Sequence, residues 1–298
     1  MTFKPLPSPD RWYGLLAILC LLGLDALAVR AVLARPVDGE SFLLVLCLLG
    51  SLLAAGYLGY RTVGAFTLEY RVDRDGVMLV WGPARQIVPM GQIRRIQHGA
   101  AGPAQNRAYP WHWPYRDRRR MACADIPTLN SYATRSPVEQ LILVTDDESY
   151  GLSPADPERF IAALQARYAL GPARPLRAEL RRPPFWTWGL WRDRAALALI
   201  GLGLLGVLVM FGALCFRFPA LSSDLPLHFD VAGIPDRIAP KSGLFALPII
   251  GLSTWGFNLL AGVLMYRRVQ QGGAYLLWAG ALAVEGIAGL ALFNLMRW

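Results

Sequence analysis

Five apolar runs, each long enough to cross a lipid bilayer, constrain this chain more than any other feature of its sequence. They cover approximately residues 12–34, 41–60, 195–218, 244–266 and 274–296. About 20 apolar residues in a helix span the hydrocarbon core, and backbone polar groups in lipid must form hydrogen bonds within their own segment. Each run is therefore predicted to be a transmembrane helix. The first is longer than the apolar core of a cleaved signal peptide and is interpreted as a retained span.

Bulk composition excludes an ordinary soluble domain of this size. Of the 298 residues, 54% are hydrophobic, and the mean hydropathy is +0.34, which places much of the chain in lipid. The net charge of +9 comes from 30 basic residues, nearly all arginine, against 21 acids. Because these charges lie mainly outside the apolar runs, they indicate membrane topology before they indicate a nucleic-acid partner.

The placement of the arginines predicts how the spans are oriented. Residues 61–194 contain 20 arginines and 13 acids, and basic residues concentrate on the cytoplasmic side of membranes. This segment is therefore predicted to be cytoplasmic, together with the amino terminus, which carries Lys4 and Arg11. Alternation of the five spans then places residues 35–40, residues 219–243 and the carboxyl terminus outside.

The segment between the second and third spans has the pattern of a β-sheet. It begins FTLEYRVDRDGVMLVWGPARQIVPMGQIRRIQ, in which apolar and polar residues alternate on both sides of a turn at residues 73–76. Such alternation is typical of half-buried antiparallel strands. A second strand pair is predicted in EQLILVTDDESYGLS, with its turn at residues 146–148.

One helix is predicted to follow these strands, near residues 154–168. The sequence SPADPERFIAALQARY offers Ser153 as an N-cap, Pro154 in the first turn and acidic residues early, which are usual signals of a helix start. Phe160 and Leu164 fall on one face of this helix. We expect both to be buried against the sheet.

Residues 64–170 resemble a bacterial pleckstrin-homology-like (PH-like) domain. The resemblance rests on the strand–turn–strand opening with WGP, the QIRRI segment and the ending YGLSPADPERFIAAL. It implies a small antiparallel sheet or partial barrel closed by the last helix, in a domain that is often attached to membrane helices. Residues 103–135 depart from the pattern, because no minimal barrel needs so long a connection. No phosphoinositide pocket is implied, since the sequence has no compact lysine-rich cradle.

The predicted outer loop, LPLHFDVAGIPDRIAPKSGLFALP, resembles the signature of SdpI-type membrane proteins, whose function is unknown or related to immunity. In that family a His, an Asp or Asn, a Gly and an Asp-Arg pair precede a helix that often begins with Lys-Ser. The corresponding residues here are His228, Asp230, Gly233, Asp236, Arg237, Lys241 and Ser242. The resemblance covers about residues 219–266 and implies an architecture rather than an activity.

Together these observations predict an integral membrane α-helical protein with about five transmembrane helices and an inserted cytoplasmic α+β PH-like domain. Four regions are expected. They are a transmembrane hairpin at residues 1–60, the PH-like domain at 61–170, a basic aromatic juxtamembrane linker at 171–194, and an SdpI-like three-helix domain at 195–298 with its outer loop at 219–243.

The outer-loop motif has two interpretations. His228, Asp230 and Asp236 are residue types that bind zinc or similar ions, so a small metal or proton site is one of them. In the other, which is favoured, the two acids cap turns and Arg237 pairs with one of them. No second histidine or HExxH motif completes a catalytic zinc set, and the four cysteines show no CxxC or Cys/His spacing. No metal and no cofactor are predicted.

Among the polar residues inside the predicted spans, Asp25, Asn258 and Glu285 are singled out. Asp25 and Glu285 are carboxylic acids, and a charge at such a depth costs about 2.5–3.5 kcal/mol on insertion scales. A neutral Glu285 is predicted to donate a hydrogen bond to Asn258, which lies at a comparable depth, and Asp25 is expected to reach Arg30. A role in holding helices together is favoured over a proton or ion path, which usually needs more than one carboxylate.

Two stretches that combine aromatic and basic residues are predicted to lie on the inner membrane surface. Indole rings favour the headgroup layer, and each arginine near an anionic leaflet gains about 1 kcal/mol. The expected partner is therefore the phospholipid bilayer and not a nucleic acid. The residues assigned to this surface are Trp111, Trp113, Arg118, Arg119, Arg120, Trp186, Trp188 and Trp191.

No motif of a known catalytic class is present in an identifiable context, and the chain is predicted not to be an enzyme. The expected function is that of a non-catalytic protein of the bacterial inner membrane, with a sensing, immunity or scaffold role through its PH-like domain. The alternatives are a small proton-coupled transporter or channel that uses Glu285, and an accessory subunit of a larger membrane complex. A membrane-protein partner or self-association is left open.

Overall fold

The computed structural model describes residues 1–99, 119–121, 126–171, 178–181, 185, 188–229 and 235–297. For residues 119–121, 227–229 and 235–237 only the backbone is described. The chain forms two compact units. Residues 1–24 and 51–183 make up the first, and residues 25–50 and 184–298 make up the second.

The first unit combines strands with one short helix and the adjoining ends of two long helices. In chain order its elements are β1 (Thr2–Phe3), α1 (Asp10–Ala34), α2 (Gly39–Thr67), β2 (Glu69–Val72), β3 (Gly76–Trp81), β4 (Ala84–Pro89), β5 (Arg95–His98), β6 (Arg119–Met121), β7 (Leu129–Tyr132), β8 (Leu141–Val144), β9 (Ser149–Leu152), α3 (Pro157–Leu170) and β10 (Glu179–Arg181). The far halves of α1 and α2 belong to the second unit.

The strands form two five-stranded sheets, with the orders β1-β2-β3-β4-β10 and β5-β8-β9-β7-β6. Neighbours are antiparallel except β7 and β9, which are parallel. Both predicted strand pairs are confirmed, because β2 pairs with β3 across the turn at residues 73–76 and β8 pairs with β9 across residues 145–148. Apolar side chains from both sheets and from α3 make one core, which includes Tyr70 and Leu143.

Strands β1 and β10 are not anticipated by the sequence pattern. Phe3 pairs with Tyr70, and Leu180 pairs with Gln86, so the segment before the first span and the segment after α3 both complete the first sheet. The predicted limits of the domain, residues 61–170, omit both strands. The pairing of β1 with β2 also places the start of α1 and the end of α2 on the same side of the membrane.

Helix α3 closes the domain as predicted, but it begins later than expected. Its N-cap is Asp156, whose side chain accepts a hydrogen bond from the backbone N–H of Arg159, and Pro157 occupies the first turn. The prediction of Ser153 as the cap is wrong, because the Ser153 hydroxyl instead accepts a hydrogen bond from the backbone N–H of Thr134 at 2.8 Å. The predicted burial of Phe160 and Leu164 is confirmed.

The second unit is a three-helix bundle with a β-hairpin at one end. Its elements are α4 (Arg194–Arg217), β11 (Asp224–Phe229), β12 (Pro235–Pro240), α5 (Ala246–Arg267) and α6 (Gln271–Leu295). A single turn of 3₁₀ helix at Lys241–Phe245 leads into α5. Phe42 of α2 meets Phe216 of α4 edge-on, with ring centroids 6.5 Å apart.

Five helices in the described part of the chain are long and apolar enough to cross a membrane, and they are α1, α2, α4, α5 and α6. The prediction of about five spans is confirmed. The largest difference is in α2, which continues to Thr67 rather than ending near residue 60. Its polar end therefore runs directly into β2 with a single intervening residue.

Candidate functional site

The centre of the three-helix bundle contains a carboxylic acid. Glu285 projects from the middle of α6 and is only 4% exposed. The surface of α4 that faces Glu285 consists of glycines, which leave room for its side chain. A Cβ atom added at Gly206 would lie 2.6 Å from the Glu285 Oε2 atom, and one added at Gly203 would lie 3.3 Å from Oε1. Gly251 of α5 borders the same side chain, 3.7 Å from its Cγ atom by the same measure. Glycine spacing of this kind lets helices approach closely, and here it makes room for the acid.

The carboxyl of Glu285 has no hydrogen-bond partner among the described residues, and both of its oxygens are buried. The predicted hydrogen bond to Asn258 is therefore wrong. Trp255 of α5 lies against Gly203 as well, but it donates its indole N–H to the backbone oxygen of Ile200 at 3.0 Å. A buried carboxyl without a donor is accommodated far better as the neutral acid than as the carboxylate.

Asp25, the other acid within a span, is also buried. Its Oδ2 atom has no hydrogen-bond partner within the described residues. The expected contact with Arg30 does not form, since no hydrogen bond or ion pair joins the two side chains. The reason lies in helix geometry, because residues five apart do not share a helix face as residues three or four apart do.

A polar cluster at the beginning of α4 ties one end of the bundle together, and its central residue is Asp193. The Asp193 carboxylate caps α4 by accepting from the backbone N–H of Ala196 at 3.0 Å, and it also accepts from the hydroxyls of Tyr266 on α5, at 2.9 Å, and Tyr275 on α6. These donors, with that of Tyr275 foremost, lower the pKa of Asp193 below its ordinary value. Sequence reasoning missed this residue, although an Asp directly before an apolar run is the usual signal of an N-cap.

Several residues of the predicted membrane surface lie near this same end. The Arg267 guanidinium stands 4.8 Å from the ring centroid of Trp188, and the indole N–H of Trp191 donates to the backbone oxygen of Phe185 at 2.7 Å. An aromatic and basic rim of this composition fits the headgroup layer. The remaining residues assigned to this surface have no described side chains, and they are Trp111, Trp113, Arg118, Arg119, Arg120 and Trp186.

The opposite end of the bundle carries the hairpin formed by the outer-loop motif. The backbone of His228 pairs with that of Arg237, whereas the side chains of both, and of Asp236, lie outside the described part, as do Asp230 and Gly233 altogether. Their metal-binding and structural interpretations both stay predictions.

Lys241 is the motif residue whose role is visible. Its Nζ donates to the backbone oxygens of Phe218, at 2.9 Å, and Leu221, at 3.1 Å, and lies 4.7 Å from the Phe218 ring centroid. The lysine thereby supplies hydrogen-bond donors to carbonyl groups just beyond the end of α4, and these bonds fix the start of α5 against that end.

No group of three or more His, Cys, Asp or Glu side chains within the described ranges is arranged to hold a metal ion. Cys20, Cys47 and Cys215 are free thiols. What the geometry does offer is an isolated titratable carboxyl inside a packed helix bundle, and a polar anchor at each end.

The fold and the bundle together define a membrane-spanning protein that carries a β-rich domain between its second and third spans. Residues 68–168 match the family described as bacterial PH domain, and residues 205–252 match a domain of unknown function, DUF1648, which overlaps the SdpI-like region. The chain thus contains a PH-like domain fused to a membrane domain of unknown function. No curated protein and no solved structure matches the chain.

Proposed function

We propose that this protein is a non-catalytic sensor of the bacterial inner membrane, in which protonation of Glu285 sets the packing of the three-helix bundle. In this proposal the PH-like domain lies in the cytoplasm, and a change in the packing of the bundle alters how this domain binds a lipid or a protein. The observation that carries the proposal is the buried carboxyl of Glu285, which has no hydrogen-bond partner in the described part of the chain and lies among glycines.

The energetic argument concerns the charged form of this carboxyl. A carboxylate deep in a bilayer costs about 2.5–3.5 kcal/mol on insertion scales, and no described donor offsets that cost here. Losing the proton therefore favours any arrangement that lets water or a cation reach Glu285. Loosening of α6 from Gly203 and Gly206 would provide such an arrangement, because the carboxyl contacts these two residues on α4.

The covalent path from the bundle to the PH-like domain is short. Strand β10, the edge strand of the first sheet, ends at Arg181, and α4 begins at Arg194. The sheet therefore connects within the chain to the helix that faces Glu285. At the other edge of the same sheet, β1 is joined to α1 by six residues. A domain held by segments that flank three spans is suited to respond to helix movement rather than to diffuse freely.

The test is the pH dependence of unfolding of the full-length protein in lipid nanodiscs. An exposed glutamate titrates near pH 4.3, so the wild-type bundle should lose thermal stability progressively as the pH rises above that value, since the opened state then gains a charge that the packed state resists. Glu285→Gln should weaken this dependence strongly, although Asp25, the other buried acid of the same unit, remains in the variant. Glu40→Gln is the matched control, because Glu40 is exposed and paired with Arg35, and it should leave the dependence unchanged.

The readout of the sensor is hydrogen exchange in residues 64–171 of the same samples. Protection factors, which are exchange rates corrected for the intrinsic pH dependence of amide exchange, should change with pH in the wild type and change much less in Glu285→Gln. A pH-independent wild type, or a Glu285→Gln variant that keeps the wild-type profile, would contradict the sensor.

Proton-coupled transport is the second candidate, and it is favoured by the same lack of a hydrogen-bond partner at Glu285. It predicts that proteoliposomes dissipate an imposed pH gradient and that Glu285→Gln abolishes this flux. Wild-type proteoliposomes that hold the imposed pH gradient, together with pH-dependent protection from hydrogen exchange in residues 64–171, would favour the sensor over the transporter.

A further inference from the structure

The first unit contains a cavity at the point where both ends of the helical hairpin meet the PH-like domain. Its volume is about 430 Å³, within the range of roughly 300–1,000 Å³ that is usual for small-molecule sites. One wall is the segment from Lys4 to Ser8 and the first turn of α1, another is the last turn of α2 from Ala65 to Thr67, and Leu68, Glu69 and Thr134 complete the lining.

The wall between β1 and α1 is held in place by the domain. The backbone oxygen of Lys4 accepts a hydrogen bond from Ala155 at 2.9 Å, and the Leu6 backbone N–H donates to Ser153 at 2.8 Å. The hydroxyl of Thr134, itself part of the lining, donates to the backbone oxygen of Leu6 at 2.8 Å. The cavity is therefore preformed, and a ligand would bind without ordering this segment.

Charges of both signs line the cavity. Lys4 and Arg11 supply two cations, and Asp10 and Glu69 supply two carboxylates. The guanidinium carbon of Arg11 lies 5.3 Å from the ring centroid of Phe66 and 5.8 Å from that of Trp12. The planar guanidinium presents a fork of N–H donors, a geometry that suits a phosphate group.

The position of the cavity in the membrane is given by the two spans that border it. Asp10 begins α1 and Thr67 ends α2, so the cavity lies at the level of lipid headgroups. Toward the hydrocarbon core both helices expose large apolar side chains next to it, namely Trp12, Tyr13, Leu16, Val63 and Phe66. A molecule with a polar head in the cavity can therefore lay apolar chains along these faces.

We propose that this cavity binds the headgroup of a phosphoethanolamine lipid, with the phosphate held by Lys4 and Arg11 and the ammonium by Asp10 and Glu69. The balance of two cations against two carboxylates selects a zwitterion, because a purely anionic headgroup would meet the carboxylates unfavourably. A carboxylate offers about four lone-pair sites, so each acid can accept from an ammonium in addition to its present contacts, which for Glu69 include the ion pair with Arg71.

The experiment is native mass spectrometry of the full-length protein released from nanodiscs that contain equal amounts of three lipids with identical chains. Phosphatidylethanolamine should be retained in preference to phosphatidylglycerol, which lacks the ammonium, and to phosphatidylcholine, whose quaternary nitrogen has no N–H to donate. Arg11→Gln and Lys4→Gln should each reduce the retained phosphatidylethanolamine by about tenfold. Arg159→Gln, at an exposed arginine outside the cavity, should have no effect.

A second variant keeps the proposal testable if Arg11→Gln fails to fold. Asp10→Asn removes one carboxylate and should shift the preference from the ethanolamine lipid toward the glycerol lipid. Equal retention of all three lipids, or an equal loss in Arg159→Gln, would overturn the proposal by showing only annular lipid. Displacement of the lipid by millimolar inorganic phosphate would also overturn it, because free phosphate rather than the lipid would then be the ligand.

Discussion

The two units of the molecule accommodate buried polar groups by opposite means. In the PH-like domain, the Tyr70 hydroxyl donates to the backbone oxygen of Tyr132 at 2.6 Å and accepts from the backbone N–H of Ser153 at 3.2 Å. In the bundle, the Glu285 carboxyl has no such partner within the described residues and is bordered by glycines. Hydrogen bonds fix the Tyr70 hydroxyl in one arrangement, whereas the Glu285 carboxyl is held by packing alone, and the packed arrangement resists the loss of its proton.

The largest effect is expected in the packed core of the PH-like domain. Phe160 is fully buried and meets the Phe3 ring edge-on, with centroids 5.2 Å apart. Phe160→Ala should lower the free energy of unfolding of the domain by about 3–5 kcal/mol, measured by denaturant unfolding of the full-length protein. Tyr168→Ala, at an exposed position of the same helix, should change it by less than about 0.5 kcal/mol. A loss below about 1 kcal/mol in the Phe160 variant would contradict its burial.

The next prediction tests whether the absence of a side chain at Gly206 makes room for Glu285. Gly206→Ala places a methyl group 2.6 Å from the Glu285 Oε2 atom, and the overpacking should destabilise the bundle by about 1–3 kcal/mol. Gly201→Ala is the control on the same helix, since nothing lies within 4 Å of its added Cβ atom. Thermal unfolding in nanodiscs measures both.

The double variant gives the sharper answer. In Glu285→Ala the space is vacated, so adding Gly206→Ala should cost little, and the interaction energy between the two sites should recover most of the single-variant loss. Strict additivity would show that the methyl group is resisted by something other than Glu285.

A smaller effect is expected for the buried hydroxyl of Tyr70, which is held by hydrogen bonds. Tyr70→Phe removes the hydroxyl that joins Tyr132 to Ser153. Because two hydrogen bonds are lost, each with a usual net value of about 0.5–1.5 kcal/mol, and the 3.2 Å bond is the weaker, the stability of the domain should fall by about 1–2 kcal/mol. The effect of the substitution should be independent of pH between about pH 5 and pH 8, because no group with an ordinary pKa in that range is removed. A pH-dependent loss would mean that this site, like Glu285, responds to protons.

The smallest effect concerns an exposed ion pair whose pH dependence has the opposite sign to that of the bundle. Arg94 makes a bidentate contact with Asp146, at 2.9 and 2.8 Å, and its hydrogen bonds lower the pKa of Asp146. A carboxyl whose pKa is lower in the folded state adds stability above its unfolded pKa of about 3.9, and that stability is lost as the pH falls below this value. Acid unfolding of Arg94→Gln should begin at slightly higher pH than in the wild type. Coincident acid-unfolding curves of the two proteins would show that the ion pair contributes no measurable stability.

Sequence reasoning succeeded where a pattern repeats over many residues. The apolar runs, the alternation in Glu69–Val72 and Gly76–Trp81, and the stripe that buries Phe160 are all of this kind. It failed at β1 and β10, which have two and three residues, because strands this short carry no period and are defined only by their distant partners. The helix cap was misplaced for a related reason, since Ser153 is recruited by Thr134 from another part of the chain.

The contact of Glu285 was misjudged because depth along a span does not specify a facing residue. Glu285 meets α5 at Gly251, and Asn258 lies two turns further along the same helix, about 10 Å away at 1.5 Å per residue. The glycine-rich sequence of α4, with Gly201, Gly203, Gly206 and Gly212, is typical of a closely packed helix surface. Only the structure shows that this surface faces an acid.

The pairing of β1 with β2 also sets an order for the biosynthesis of the protein. During translation Thr2 and Phe3 are made before either helix of the hairpin, whereas their partners Arg71 and Tyr70 follow only after both helices. The first strand must therefore remain unpaired while α1 and α2 enter the lipid, and the sheet closes only when both ends of the hairpin have returned to the same side. If only one helix of the hairpin inserts, β1 and β2 lie on opposite sides of the membrane, and the sheet is left with an open edge that proteases and chaperones can recognise.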